Sequence, residues 1–140
     1  MTRRFLLAAT FALLGSPAAA DGAATLNVTV ENIGDAGGEL RIGVYDQAGF
    51  SARNAMPVAG KIVPARSSKM TVRIENIPPG IYGVKLFQDI DRNGYLDLSV
   101  RGVEPFGFSN DPPVTTGLPA FDDVKFTLSP GDNSITVTLH

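Results

Sequence analysis

Met70-Thr71-Val72-Arg73-Ile74-Glu75-Asn76-Ile77-Pro78-Pro79-Gly80-Ile81-Tyr82-Gly83-Val84-Lys85-Leu86-Phe87-Gln88-Asp89 is the stretch that decides the fold. Met70, Val72 and Ile74 alternate with Thr71, Arg73 and Glu75, the period of two that marks a half-buried strand. Pro78-Pro79-Gly80 then makes a tight turn, because proline fixes φ and glycine is free to take positive φ. Beyond the turn Tyr82, Val84 and Leu86 face one way, and Gly83, Lys85 and Phe87 face the other. This second strand runs directly into Asp89.

The same alternation recurs on both sides. Upstream, Leu26, Val28 and Val30 form one run and Leu40, Ile42 and Val44 another, with a glycine-rich turn at 34–38 between them. The two runs are expected to pair as a hairpin. Asp46 to Pro57 reads as a loop or short irregular helix in which Phe50 plugs the edge of the core. Val58 to Val63 is a weaker strand, stopped by Pro64. Downstream, Val124, Phe126 and Leu128 and then Ile135, Val137 and Leu139 supply two closing strands around Pro130-Gly131-Asp132-Asn133. Seven short strands without a helical period predict an all-β fold, an antiparallel seven-stranded β-sandwich of immunoglobulin-like type.

The first residues are not expected to belong to that sandwich. Arg3 and Arg4, the apolar run Phe5 to Leu14, and Pro17 before Ala18-Ala19-Ala20 have the order of a secretory signal peptide. The run is too short to span a bilayer, which takes about 20 residues. Residues 1–20 are therefore read as a signal peptide and 21–140 as one domain. The protein is expected to be periplasmic or secreted by a bacterium, with no transmembrane segment after cleavage.

Without Arg3 and Arg4 the chain carries 10 basic and 14 acidic residues, a formal charge of −4. A mildly acidic domain without a basic cluster is a poor match to nucleic acid or an anionic membrane. There is no cysteine, which excludes disulfides, thiol catalysis and cysteine zinc sites. His140 is the only histidine and the last residue, which leaves no buried Ser-His-Asp arrangement.

From Asp89 to Asp122 the sequence shows no strand pattern, and so long a structureless loop is usually functional or held by something. It opens with Asp89-Ile90-Asp91-Arg92-Asn93-Gly94-Tyr95-Leu96-Asp97, which reads D-x-D-x-N-G-x-x-D. Oxygen-bearing side chains at alternate positions of a curled loop point inward, Gly94 permits the curl, and calcium prefers hard oxygen ligands. Asp89, Asp91, Asn93, the Tyr95 carbonyl and Asp97 are the expected ligands of a Ca2+ ion. Val100 stands where an EF-hand has its bidentate glutamate, and no helix pair flanks the loop, so Glu104 is assigned to complete the shell. Magnesium, which keeps more water and stricter geometry, fits less well. A solvated Asn-Gly turn is the competing reading, but three aspartates held together without a cation would repel one another.

The remaining constellations carry less. Ser109 lacks a nucleophile-elbow frame and is read as a turn cap. Asp97 with Glu104 could be read as a hydrolase carboxylate pair. Asp122-Asp123 is read as a strand entry or helix cap. Phe106, Phe108 and Phe121 are read as anchors that pack the long loop onto the body, or as the wall of a ligand groove.

Ile77-Pro78-Pro79-Gly80-Ile81-Tyr82-Gly83-Val84, Phe87-Gln88-Asp89, Asn93-Gly94-Tyr95-Leu96-Asp97, Glu104-Pro105-Phe106-Gly107-Phe108-Ser109-Asn110 and Pro119-Ala120-Phe121-Asp122-Asp123-Val124-Lys125-Phe126 follow one another in this order. Together they resemble the exported bacterial family known as domain of unknown function 2141 (DUF2141), over nearly all of the chain from about Leu26. Members of that family commonly carry a histidine where Gln88 stands. The path from Ser99 to Val103 also departs from their pattern. The resemblance implies an exported, mostly β domain and supplies no activity. The Pro-Pro-Gly-x-Tyr turn is also similar to that of transthyretin-like and other prealbumin-like sandwiches, often binding or adhesion modules, an analogy at the level of fold.

The expectation is thus a non-catalytic, calcium-binding exported sandwich with a structural or ligand-binding role. The alternative is a carbohydrate- or peptide-binding module at the Phe106–Phe121 loop, with a carboxylate-dependent hydrolase a distant third. The sequence identifies no partner; a cell-envelope polymer or protein suits the expected location.

Overall fold

In the computed structural model, residues 22–52, 54–96, 98–99, 102–113 and 117–140 are described. The expected signal peptide lies outside them. The strands are β1 Ala24–Glu31, β2 Glu39–Tyr45, β3 Ala59–Pro64, β4 Met70–Ile77, β5 Gly80–Asp89, β6 Leu98–Ser99, β7 Gly102–Val103, β8 Phe106–Phe108, β9 Phe126–Leu128 and β10 Gly131–Thr138. Two short helices join them, α1 Gln47–Ser51 and α2 Phe121–Val124.

The strands form two main sheets, one in the order β10-β1-β4 and the other in the order β3-β2-β5-β8. β9 pairs with the first residues of β5, and β6 pairs with β7 in a separate two-residue ribbon. The inward positions are those that the alternation picks out. Leu26, Val28 and Val30 of β1 and Leu40, Ile42 and Val44 of β2 are buried, with Val72, Ile74 and Ile77 of β4 and Tyr82, Val84 and Leu86 of β5. These residues form one hydrophobic cluster between the sheets, the layered solution that lets each sheet bury its apolar face.

The seven runs read from the sequence correspond to β1, β2, β3, β4, β5, β9 and β10. Three further short strands lie within the long loop, so that stretch is less irregular than expected. β8 is the consequential one, since it pairs with Lys85–Phe87 of β5 and widens the second sheet. Val124, expected in a strand, lies in α2, and the strand begins only at Phe126.

Two expectations about pairing are corrected. β1 and β2 do not form a hairpin: β1 pairs with β10 and β4, and β2 with β3 and β5. The turn between them instead crosses from one sheet to the other. Nor is the sandwich wholly antiparallel, because β1 and β10 run parallel, from Ala24 opposite Gly131 to Glu31 opposite Thr138. The turn at Pro78-Pro79 likewise crosses between sheets, and the Tyr82 hydroxyl donates to the Pro78 carbonyl at 2.6 Å, bracing the corner.

A second hydrophobic cluster sits on the outer side of β5. Phe50 of α1, Phe108 of β8, and Phe121 and Val124 of α2 meet there. Phe50 is fully buried, and its ring contacts Phe108 and Phe121 edge-on, at centroid distances of 6.2 and 5.8 Å. Each such pair contributes about 0.5–1.5 kcal/mol beyond burial. Gly83 makes the arrangement possible, because a Cβ there would stand 2.7 Å from a Val124 methyl. Phe50 thus closes the edge of the body, and Phe108 and Phe121 anchor the long loop.

Candidate metal centre

β5 delivers the first acidic residue. Gln88 and Asp89 end the strand with no exposed surface, although both are polar. A buried polar group costs free energy unless it is hydrogen-bonded, and both are. Gln88 accepts from the Gly34 amide at 2.8 Å and donates to the carbonyls of Gly34 and Gly37 at 2.9 and 2.8 Å. It therefore clamps the β1–β2 crossing turn. The same turn presses Gly38, at φ +79°, against the backbone of Asp89 and Ile90; a Cβ there would lie 2.6 Å from the Ile90 Cα.

Asp89 is held from three sides. Arg41 Nε donates to its Oδ2 at 2.7 Å, the Gly94 amide donates to Oδ2 at 2.8 Å, and the Asn93 amide donates to Oδ1 at 3.2 Å. The loop curls through left-handed residues at Arg92 (φ 60°) and Gly94 (φ 87°), which brings these amides round to the strand end. Asp91 Oδ1 accepts from the Asn93 amide at 3.2 Å, and Asn93 Oδ1 accepts from the Tyr95 amide at 2.9 Å. Tyr95 itself is exposed.

Glu104 arrives from the other end of the excursion. The Gln88 amide donates to the Pro105 carbonyl at 2.8 Å, extending the β5–β8 ladder by one rung. That register sets Glu104 beside Ile90, whose amide donates to Glu104 Oε2 at 2.7 Å. Glu104 is 5% exposed. One oxygen from each of Asp89, Asp91 and Glu104 falls within 4.8 Å of the others. Oxygens bound to a single calcium at about 2.4 Å lie no more than about 4.8 Å apart, so the grouping has the right size. Among the ligands expected from sequence, Asp89, Asp91 and Glu104 are brought together, and Asn93 and Tyr95 shape the loop between them. Asp97 lies outside the described residues.

Arg41 is the participant that sequence reading missed. It reaches Asp89 from β2 and also pairs with Glu39 at 3.1 Å. Glu39 stands directly opposite Asp89 in the β2–β5 register, so the guanidinium separates two carboxylates. Burial alone pushes the Asp89 carboxyl up, but the hydrogen bonds from the Gly94 amide and Arg41 more than offset this and hold it below its ordinary value. Asp89 is therefore ionised at neutral pH, the state a metal ligand needs.

The other candidates separate clearly. Ser109 is fully buried: the Val84 amide donates to its Oγ at 2.9 Å, and its hydroxyl donates to the Val124 carbonyl. It stitches β5 to α2 and is not presented to a substrate. Asp122 and Asp123 occupy the first turn of α2, where Asp122 pairs with Lys125 at 3.1 Å. Phe106 lines a groove of about 790 Å³ on the outer face of the second sheet, with Tyr45, Lys85, Phe87, Leu96 and Leu118 among its walls. Phe121 is not part of that wall and belongs to the second cluster.

Fold and site together define a two-sheet β protein with an acidic loop springing from the end of a central strand. A family model described as an uncharacterized protein conserved in bacteria (DUF2141) matches residues 28–136, and the chain belongs to that family. The match runs from β1 into β10 and includes the whole acidic loop. No curated protein and no solved structure matches the chain.

Proposed function

We propose that this is an exported, non-catalytic sandwich whose Asp89–Asp97 loop, closed by Glu104, binds calcium and so fixes the long excursion to the body. The observation that carries this reading is the convergence of Asp89, Asp91 and Glu104 to within 4.8 Å from two separate segments. Two of the three are buried, and a buried carboxylate is retained where it is paired or coordinates a cation. Arg41 already balances one oxygen of Asp89, so the ion would use the remaining oxygens of the group. Because the ion binds the folded state, stability should rise by RT ln(1 + [L]/Kd), about 2.7 kcal/mol at a hundredfold excess over Kd. Thermal melting in calcium against melting in excess chelator tests this. Coincident curves, with no calcium in the purified protein, would sink it.

The immunoglobulin-like or prealbumin-like subtype belongs to the same proposal. Its support is the Tyr82–Pro78 bond, which resembles the tyrosine corner of immunoglobulin sandwiches. Export to the periplasm or medium rests on the charged, apolar and Ala-rich order of residues 1–20.

A second reading is a ligand-binding module. It is favoured by the groove that Phe106 and Leu118 wall, whose volume is that of a small-ligand site. Shifts of the Phe87 and Phe106 signals on adding cell-wall oligosaccharides or peptides would support it. Unmoved signals would count against it.

A further inference from the structure

The outer-face groove has an uneven charge. Its lining includes three cations, Arg41, Lys61 and Lys85, and no carboxylate, in a chain whose formal charge is negative. Arg41 is held by two carboxylates, Asp89 and Glu39. Lys61 is exposed to solvent and donates to the Arg73 carbonyl at 2.7 Å. Lys85 is half-buried. Its ammonium lies 4.3 Å from the Tyr45 ring centroid and 5.0 Å from that of Phe50, and it donates to the Phe50 carbonyl at 3.1 Å. Among the described residues no carboxylate lies within ion-pair distance of it. One half-buried positive charge, fixed by aromatic rings on an apolar floor, awaits one negative charge.

The floor also selects against other ligands. The central strands of the floor, β2 and β5, are each paired on both edges, so an extended peptide lying over them finds no free main-chain donors. Phe87, Leu96, Phe106 and Leu118 give little for carbohydrate hydroxyls to bond. A phosphate is better served by an arginine fork or several donors than by a single ammonium.

We propose that this groove binds an apolar monocarboxylate, an acyl chain lying along the outer face of the second sheet with its carboxylate paired to the Lys85 ammonium. This rests on the groove being a ligand site, as in the second reading, with an acyl carboxylate in place of an oligosaccharide or peptide. The test is an NMR titration of the protein with decanoate and, separately, with the neutral 1-decanol, in the wild type and in Lys85→Met. Decanoate should shift the Tyr45, Phe87 and Phe106 signals and bind about tenfold or more tightly than decanol, the margin expected of one charge-assisted hydrogen bond. Lys85→Met should bring the two ligands level. Equal binding of both by the wild type would overturn the carboxylate assignment while leaving the groove a ligand site. Binding of neither would overturn both. The wild-type ratio is decisive even if the variant does not fold.

Discussion

Arg41 Nε donates to Asp89 Oδ2 at 2.7 Å, so the chain's own guanidinium already serves the carboxylate around which the acidic loop is wound. The Asp89 side chain is fully buried and that of Arg41 is 28% exposed. The pair therefore lies between a buried ion pair, where losing one partner costs about 3–5 kcal/mol, and an exposed one at about 0–1 kcal/mol.

Arg41→Gln should accordingly destabilise the chelator-treated protein by about 1–3 kcal/mol in urea unfolding. The same variant should bind calcium more tightly, because a competing cation is gone. Calorimetric titration of wild type and variant checks the sign. Weaker binding by the variant would mean that Arg41 supports the ion rather than competing with it.

Acid should unfold the metal-free protein partly through Asp89. Its folded-state pKa is depressed, with burial opposing and the Gly94 and Arg41 hydrogen bonds prevailing. The sign follows: the stabilisation is fully present above the unfolded value, near pH 4, and is lost as pH falls through the lower folded value. Melting temperatures measured in chelator from neutral pH downward should drop in that window. Asp89→Asn should flatten the drop.

Gly37 and Gly38 offer a controlled comparison in one turn. Both have left-handed backbones, at φ 81° and 79°. A Cβ on Gly37 meets nothing within 4 Å, whereas one on Gly38 collides with the backbone of Asp89 and Ile90. Gly37→Ala should cost about 1–2 kcal/mol, the left-handed penalty alone. Gly38→Ala should cost clearly more, and it should also weaken calcium binding, because it displaces the strand end that carries Asp89. Equal costs in denaturant unfolding would contradict this contact.

Gln88→Leu keeps the volume and removes the clamp. It removes the partner of the Gly34 amide and of the carbonyls of Gly34 and Gly37, at about 0.5–1.5 kcal/mol for each hydrogen bond lost, since water reaches this part-buried turn. Hydrogen exchange should show the 34–38 turn opening while the amides of β1 stay protected.

Strand positions were legible because alternation reports which side chains face inward, and Leu26, Val28, Val30, Leu40, Ile42 and Val44 all do. Alternation does not report partners. The glycines at 34–38 look the same whether a turn reverses within a sheet or crosses to the other, so the pattern alone pairs β1 with β2, whereas the two strands lie in different sheets. The parallel β1–β10 pair joins residues more than a hundred positions apart and leaves no local trace. β8 is only Phe106-Gly107-Phe108, too short for a period to show. Its glycine is needed because a Cβ there would meet the Thr138 carbonyl at 2.7 Å. At the site, the spacing of Asp89 and Asp91 was readable, and Glu104 followed from the missing ligand at Val100. Arg41 could not be found, since it reaches Asp89 only through the β2–β5 register.

A crystal structure grown in calcium tests the central proposal most directly. The predicted result is an ion with oxygens of Asp89, Asp91 and Glu104 at about 2.3–2.6 Å and six to eight ligands in all. Calcium-saturated crystals with no ion at this position, and with the Arg41–Asp89 pair intact, would contradict it.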